Sequence, residues 1–148
     1  KVGLGVDGSS SNDCSHMLGE VRQAMLLART LLSENPGGPP ENKKDWISAR
    51  DCLEITTIHG VTVRGPDGVG SLVVRYPADF VAVNTNRVGF AGGSMVDPVA
   101  SLVFCAPQSA DWTVVEGKVI VKNGNIETLD LPVAIEKLNK ASREVMGV

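Results

Sequence analysis

Aromatic side chains are scarce in this chain, with two Trp, one Tyr and three Phe among 148 residues. The core must therefore be built from Val, Leu, Ile and Ala, and no basic–aromatic stripe for stacking on nucleic acid can be assembled. Charge of one sign is also missing: 14 basic and 17 acidic residues are mixed along the chain, for a net charge of −3. Such a surface has no electrostatic attraction for nucleic acid or an anionic membrane. No apolar run approaches the roughly 18 residues of a spanning helix, and no segment has the pattern of a signal peptide. Cysteine is limited to Cys14, Cys52 and Cys105, odd in number and without metal-ligand spacing. The expectation is three reduced thiols acting as small buried hydrophobes, in a cytoplasmic protein.

Against this background the opening stands out. Val2-Gly3-Leu4-Gly5-Val6 is a short apolar run that stops at Asp7, with Gly8-Ser9-Ser10-Ser11-Asn12 behind it. Such a run reads as a parallel strand buried on both faces. No βαβ partner follows, and a lone buried strand leaves two rows of backbone groups unpaired. Chain outside these residues is expected to flank it, and the isolated chain is expected to associate through its exposed edges.

Apolar Met17, Val21, Met25, Ala28 and Leu32 recur at three- and four-residue steps, and Leu18, Ala24, Leu27 and Leu31 widen the stripe. This predicts an amphipathic helix ending near Glu34, capped by Asn12 or Asp13. Residues 35–44, around Pro36-Gly37-Gly38-Pro39-Pro40, read as a loop and as the most mobile stretch. A second helix is predicted from Ser48, with Asp51 reaching back in a capping box, to His59-Gly60. Ala78 to Val83 reads as a buried strand. Residues 112–115, 118–122 and 125–128 read as short strands of an antiparallel meander. Glu116-Gly117 and Asn123-Gly124 join them as two-residue turns that tolerate positive φ. Asp97-Pro98-Val99 opens a short helix to Phe104, and Asp130 caps a last helix with apolar Ala134, Leu138, Ala141 and Val145.

Gly3-Leu4-Gly5-Val6-Asp7-Gly8 has the spelling of a dinucleotide fingerprint, but the context excludes it. Only two residues precede the first glycine, Glu20 falls inside a predicted helix, and Asp7 would face the pyrophosphate with a like charge. Asp7 itself has two readings. It caps a turn, or it is a functional carboxylate at the end of a strand, where a hard oxygen can bind a divalent metal and accept a proton. His16 and His59, the only histidines, lie near the starts and ends of helices, where histidine is an ordinary structural residue. Nothing in their spacing brings these two histidines and Asp7 together as the three protein ligands that a catalytic zinc site takes beside its water.

Taken in order, these segments resemble the C-terminal third of the amidohydrolase superfamily, in its cytosine-deaminase-like branch. Within that branch they are most similar to 8-oxoguanine deaminases and hydroxyatrazine-type aminohydrolases. The resemblance is carried by residues 2–13, by Met17-Leu-Gly-Glu-Val-Arg-Gln-Ala-Met-Leu-Leu27, and by Ser48-Ala-Arg-Asp-Cys-Leu-Glu54. Phe90-Ala-Gly, Asp97-Pro-Val-Ala-Ser-Leu-Val-Phe-Cys105 and Asp130-Leu-Pro132 point to the 8-oxoguanine subgroup. It implies an α/β fold: the end of a (β/α)8 TIM barrel (last strand and following helices) plus part of a small β-sandwich, α+β when isolated. Residues 1–65 would be the barrel end, 66–129 the sandwich portion with a short helix, and 130–148 a C-terminal helix.

The resemblance makes Asp7 both a ligand of one divalent metal, zinc or alternatively iron, and the group that moves the proton. Asn12 would shape the substrate pocket. The implied reaction is deamination of a purine-like or triazine ring, 8-oxoguanine to urate and ammonia first among them, by a homo-oligomeric enzyme. The family's His-x-His, its later barrel histidines and its acid–base glutamate have no counterpart here, and a barrel needs about 250 residues. The chain is therefore expected to be inactive without an N-terminal part that carries those groups. The alternative is a non-catalytic, stand-alone α+β interaction module, with Asp7 as a cap and residues 2–6 paired internally.

Overall fold

The computed structural model describes residues 2–12, 14–64, 69–105, 107 and 109–147. Asp13, one of the two expected caps, and the expected boundary at 65–66 lie outside them. The chain divides into two compact units, Lys1–Pro77 with Asn84–Gln108, and Ala78–Val83 with Ser109–Val148. No described helix is long and apolar enough to cross a membrane.

The first unit is helical. Its elements are α1 (Met17–Ser33), α2 (Ala49–Thr56), α3 (Ile58–Arg64), α4 (Gly93–Val96) and α5 (Pro98–Cys105). The predicted α1 stripe divides in two. Val21 and Met25 are fully buried against Ala49 and Cys52 of α2 and Val103 of α5, with Leu4, Ile47 and Ala100 packed around them. Leu27 and Leu31, on the wider part of the stripe, stay exposed. The cap of α1 is neither Asn12 nor any earlier loop residue but His16, whose ring accepts the Gly19 N–H. The short helix α5 packs on α1 and α2, and Asp97 Oδ1 accepts the Ala100 N–H at its start, at 2.9 Å.

The opening residues 2–7 join no strand ladder in this structure. A strand exists only through its hydrogen-bonded neighbours, and the described residues of the first unit supply none, so the internal pairing that the stand-alone alternative expects for residues 2–6 is absent. The segment instead lies along α2 and α3. A Cβ on Gly3 would stand 3.1 Å from the Gly60 Cα, and one on Gly60 would stand 3.1 Å from the Ile55 carbonyl. Gly3 thus permits the approach, Gly60 permits the close turn from α2 into α3, and Leu4 reaches the core.

The expected second helix is two helices. Thr57, at φ −105° and ψ −90°, breaks the run between α2 and α3. The break falls in Ile55-Thr56-Thr57-Ile58, all β-branched. Thr56 and Thr57 hydroxyls bond back to the Cys52 and Leu53 carbonyls, each at 2.9 Å. Such back-bonding bends helices. His59, expected at a helix C-terminus, accordingly sits exposed in the first turn of α3. Of the thiols only Cys52 is buried, and Cys14 and Cys105 are exposed, contrary to expectation. Desolvation pushes the Cys52 thiol pKa up, the Asp51 charge adds to this, and Arg29 opposes it. Cys52 is a packing residue. The loop at 35–44 is folded on itself, with Gly38 N–H donating to the Asn35 carbonyl and Trp46 Nε1 to that of Pro40.

The capping box of α2 is present as read. The Ser48 hydroxyl accepts the Asp51 N–H at 3.1 Å, and the Asp51 carboxylate accepts the Ser48 N–H at 2.7 Å. The Ser48 hydroxyl, then its N–H, hold the Asp51 carboxyl below the ordinary aspartate range. A carboxyl whose folded pKa is depressed stabilises the fold above its unfolded pKa, and that contribution is lost as pH falls through the folded value. Ser48→Ala should therefore cost about 1 kcal/mol at neutral pH, the usual loss for a cap. Melting curves should show the gap between Ser48→Ala and the parent narrowing as pH drops below the aspartate range. A gap independent of pH would remove Asp51 from the box.

The second unit is a four-stranded sheet followed by a helix. Strands β1 (Phe80–Ala82), β2 (Trp112–Val115), β3 (Lys118–Lys122) and β4 (Asn125–Ile126) lie in sequence order, each antiparallel to the next. The meander follows from its turns, since Glu116 and Gly117 (φ 50° and 75°) and Asn123 and Gly124 (φ 52° and 79°) all adopt the positive φ of the tight hairpin types. Lys122 pairs with Trp112 across β2–β3 and lies 5.8 Å from its ring centroid. β1 is shorter than read and, among the described residues, forms the sheet edge against β2; its side chains are exposed, which corrects the expected buried strand. Helix α6 (Leu131–Met146) is capped by Asp130 as predicted and ends on Gly147 in the left-handed region. None of its residues is buried, and Leu138 and Val145 of its apolar stripe are exposed.

Candidate active site around Asp7

Asp7 ends the opening segment at φ 61°, in the left-handed region that aspartate tolerates better than most residues. Its side chain is exposed. The Gly8 N–H donates to Oδ1 at 2.8 Å. That bond first, and the nearby Ser11 hydroxyl second, hold the carboxyl below the ordinary aspartate range. The Ser11 hydroxyl also lies 3.1 Å from the Gly8 carbonyl and has one proton to share between the two acceptors. Asp7 is thus a fixed, ionised carboxylate with one oxygen outside the Gly8 bond.

The turn behind it closes on a single carbonyl. Gly8 O accepts the Ser11 N–H at 3.0 Å and the Asn12 N–H at 2.9 Å. Asn12 then reaches helix α1: its Nδ2 donates to Glu20 Oε1 at 2.7 Å, while its Oδ1 accepts the Cys14 N–H at 3.0 Å. His16 completes the base of the loop. Its Nδ1 accepts the Gly19 N–H and its Nε2 bonds the Pro107 carbonyl, at 2.8 and 2.9 Å. An imidazole that accepts at Nδ1 carries its proton on Nε2, which assigns the tautomer from the partners. Both ring nitrogens are committed to backbone groups, so His16 is a structural post and not a spare metal ligand.

A hard, ionised carboxylate fits a divalent cation as one ligand. Among the described residues, however, no group of three or more His, Cys, Asp or Glu side chains could hold a metal ion. His59, on α3, lines a groove with Val2, Asp51 and Glu54 and joins no such group. Asp7 therefore brings one ligand's worth of chemistry. Glu20 escaped the sequence reading, because its link to Asn12 spans eight residues and follows no capping or helical spacing. The His16–Pro107 bond, across 91 positions, left no sequence signal either.

Comparison with known proteins gives this geometry a setting. The sequence model described as the amidohydrolase family matches residues 1–126. The 8-oxoguanine deaminase of Pseudomonas aeruginosa is 33% identical over 146 residues, covering 99% of this chain and 30% of that protein. The hydroxydechloroatrazine ethylaminohydrolase of a Pseudomonas species (strain ADP) is 35% identical over 133 residues, covering 88% of this chain and 26% of the relative. Among solved structures, the zinc complex of atrazine chlorohydrolase TrzN from Arthrobacter aurescens TC1 matches with a TM-score of 0.81 at 28% identity. It covers 94% of this chain and 29% of that one. An adenosine deaminase from Xanthomonas campestris with bound zinc, 21% identical, shares the fold at a TM-score of 0.83, covering 99% of this chain and 31% of its own. The chain spans about 30% of the length of such relatives.

Proposed function

Because this chain belongs to the amidohydrolase family, we propose that it is the part of a metal-dependent aminohydrolase that carries Asp7 as metal ligand and proton-transfer group. The observation that carries the reading is the presentation of Asp7: exposed, ionised, and held by a closed turn at the end of the opening segment. The opening segment is read as the last strand of a (β/α)8 barrel, to be flanked by strands from outside these residues. The remaining metal ligands are assigned to that same outside chain. These 148 residues together with it form the assembled enzyme.

When bound, a divalent metal, zinc in this reading with iron as the alternative, supplies Lewis acidity that brings the pKa of water to about 7. Asp7 takes up the proton at the carboxylate oxygen outside the Gly8 bond. The ring carbon gains a C–O bond and loses its exocyclic C–N bond, and Asp7 returns the proton to the nitrogen that leaves as ammonia. The Gly8 N–H bonds one carboxylate oxygen and leaves the other for the proton, a bias in orientation that such a transfer uses. The substrate is a purine-like or triazine ring, and the 8-oxoguanine deaminase that is 33% identical over 99% of this chain favours 8-oxoguanine.

Ammonia release with 8-oxoguanine, a hydroxylated triazine and 5'-deoxyadenosine tests the reading. The assembled, zinc-loaded enzyme should convert 8-oxoguanine to urate fastest, and the 148-residue chain alone should turn over none of the three. Turnover by the isolated chain, or an assembled protein inert toward all three rings, would overturn it.

A further inference from the structure

We propose that Asn12 and Glu20 are positioning residues that hold the Asp7 turn against the first turn of α1, acting on the reaction through Asp7 and not through contact with the substrate. The inference rests on the reading of Asp7 as the reactive carboxylate. It departs from the pocket-shaping role that the resemblance assigns to Asn12.

The argument is one of hydrogen-bond capacity. Asn12 commits its backbone N–H to the Gly8 carbonyl, its Oδ1 to the Cys14 N–H and its Nδ2 to Glu20 Oε1. Bonded at both ends, the Asn12 amide keeps one N–H and one lone pair, and its plane is set by the turn and α1 and not by a ligand. The same bonds form a continuous tether. Gly8, which binds the Asp7 carboxylate through its N–H, is held at its carbonyl by Asn12, and Asn12 is held by Glu20. Glu20 immediately precedes the fully buried Val21. It also lies in the helical turn whose N–H groups are satisfied by His16. The tether therefore ends next to a residue of the packed core of the first unit. The Asn12–Glu20 contact is half-buried and short, as a bond to a carboxylate acceptor should be.

Glu20 has a simpler competing role, a negative charge favoured by the dipole at the start of α1. Gln at position 20 separates the two, because it removes the charge and keeps a side-chain oxygen that can accept from Asn12. In the assembled enzyme, Asn12→Ala and Glu20→Ala should lower kcat roughly ten- to a hundredfold, the scale of a reacting group displaced by about 1 Å, with KM unchanged. Glu20→Gln should retain most of the activity. Hydrogen exchange read by mass spectrometry should rise about tenfold over residues 8–16 in both alanine variants, as expected for the loss of one bond in a locally opening segment.

A raised KM at unchanged kcat for Asn12→Ala would make Asn12 a substrate contact and overturn the proposal. Equal losses in Glu20→Gln and Glu20→Ala, unchanged exchange, or faster exchange along the whole of α1 would overturn it too. Asp7→Asn is run beside them. If that variant keeps full activity, the reading of Asp7 fails, while the exchange measurement still decides whether the tether exists.

Discussion

Asp7→Asn is expected to lower kcat of the assembled enzyme by roughly 10²–10⁴-fold, the range for loss of a positioned proton-transfer group, and to lower its metal content. Asparagine is the informative replacement. Its amide oxygen can still accept the Gly8 N–H, and its side chain tolerates the left-handed φ of 61° that alanine or a β-branched residue would resist. What it cannot do is carry charge to a cation or take up a proton at neutral pH. Because the side chain is exposed and the amide keeps the Gly8 bond, the melting temperature in the absence of metal should fall only slightly. Steady-state kinetics, metal analysis and a thermal melt on one preparation separate these effects. Unchanged kcat with full metal content would reduce Asp7 to a turn residue.

The largest expected effect on stability is at Met25. It is fully buried among Val21, Cys52 and Val103, at the junction of α1, α2 and α5. Met25→Ala should destabilise the protein by about 2–5 kcal/mol, the sum of lost transfer free energy and the cavity left behind. Met25→Leu conserves volume and should cost less than about 1.5 kcal/mol. Denaturant unfolding of the assembled enzyme gives both numbers. The consequence reaches the site, because Glu20, which holds Asn12, precedes Val21 on the helix that Val21 and Met25 pin to the core. If Met25→Ala costs no more than Met25→Leu, the core does not anchor that helix.

Several elements were legible because their causes are local. The α1 stripe repeats every three to four residues. The Ser48–Asp51 box closes within one turn, and Asp130 accepts the Val133 N–H three residues on. Glu116-Gly117 and Asn123-Gly124 specify hairpins because glycine, and asparagine nearly as well, accept positive φ. The resemblance to amidohydrolases was legible for a different reason, an ordered series of motifs along the whole chain. Asp7 could be singled out by its place at the end of an apolar run, but its hydrogen-bond partners could not. The Gly8 N–H and then the Ser11 hydroxyl, which lower its pKa further, are brought to it only by the turn.

Other features had to wait for the packed chain. The strand expected at residues 2–6 needs neighbours that the first unit does not provide, and only the fold shows those residues lying instead against Gly60. The exposure of Cys14 and Cys105 and the burial of Cys52 follow from which helix faces meet, which composition does not encode. His16 displaces Asn12 as the cap of α1 because its second nitrogen finds the Pro107 carbonyl, and Asn12 is then free to bind Glu20. Helix faces, tight turns and the caps of α2 and α6 are set by bonds within about four residues, so their signals are written side by side in the chain. The company that Asp7, Asn12 and His16 keep is set by which donors and acceptors burial brings together across long separations, and that is decided only when the chain is packed.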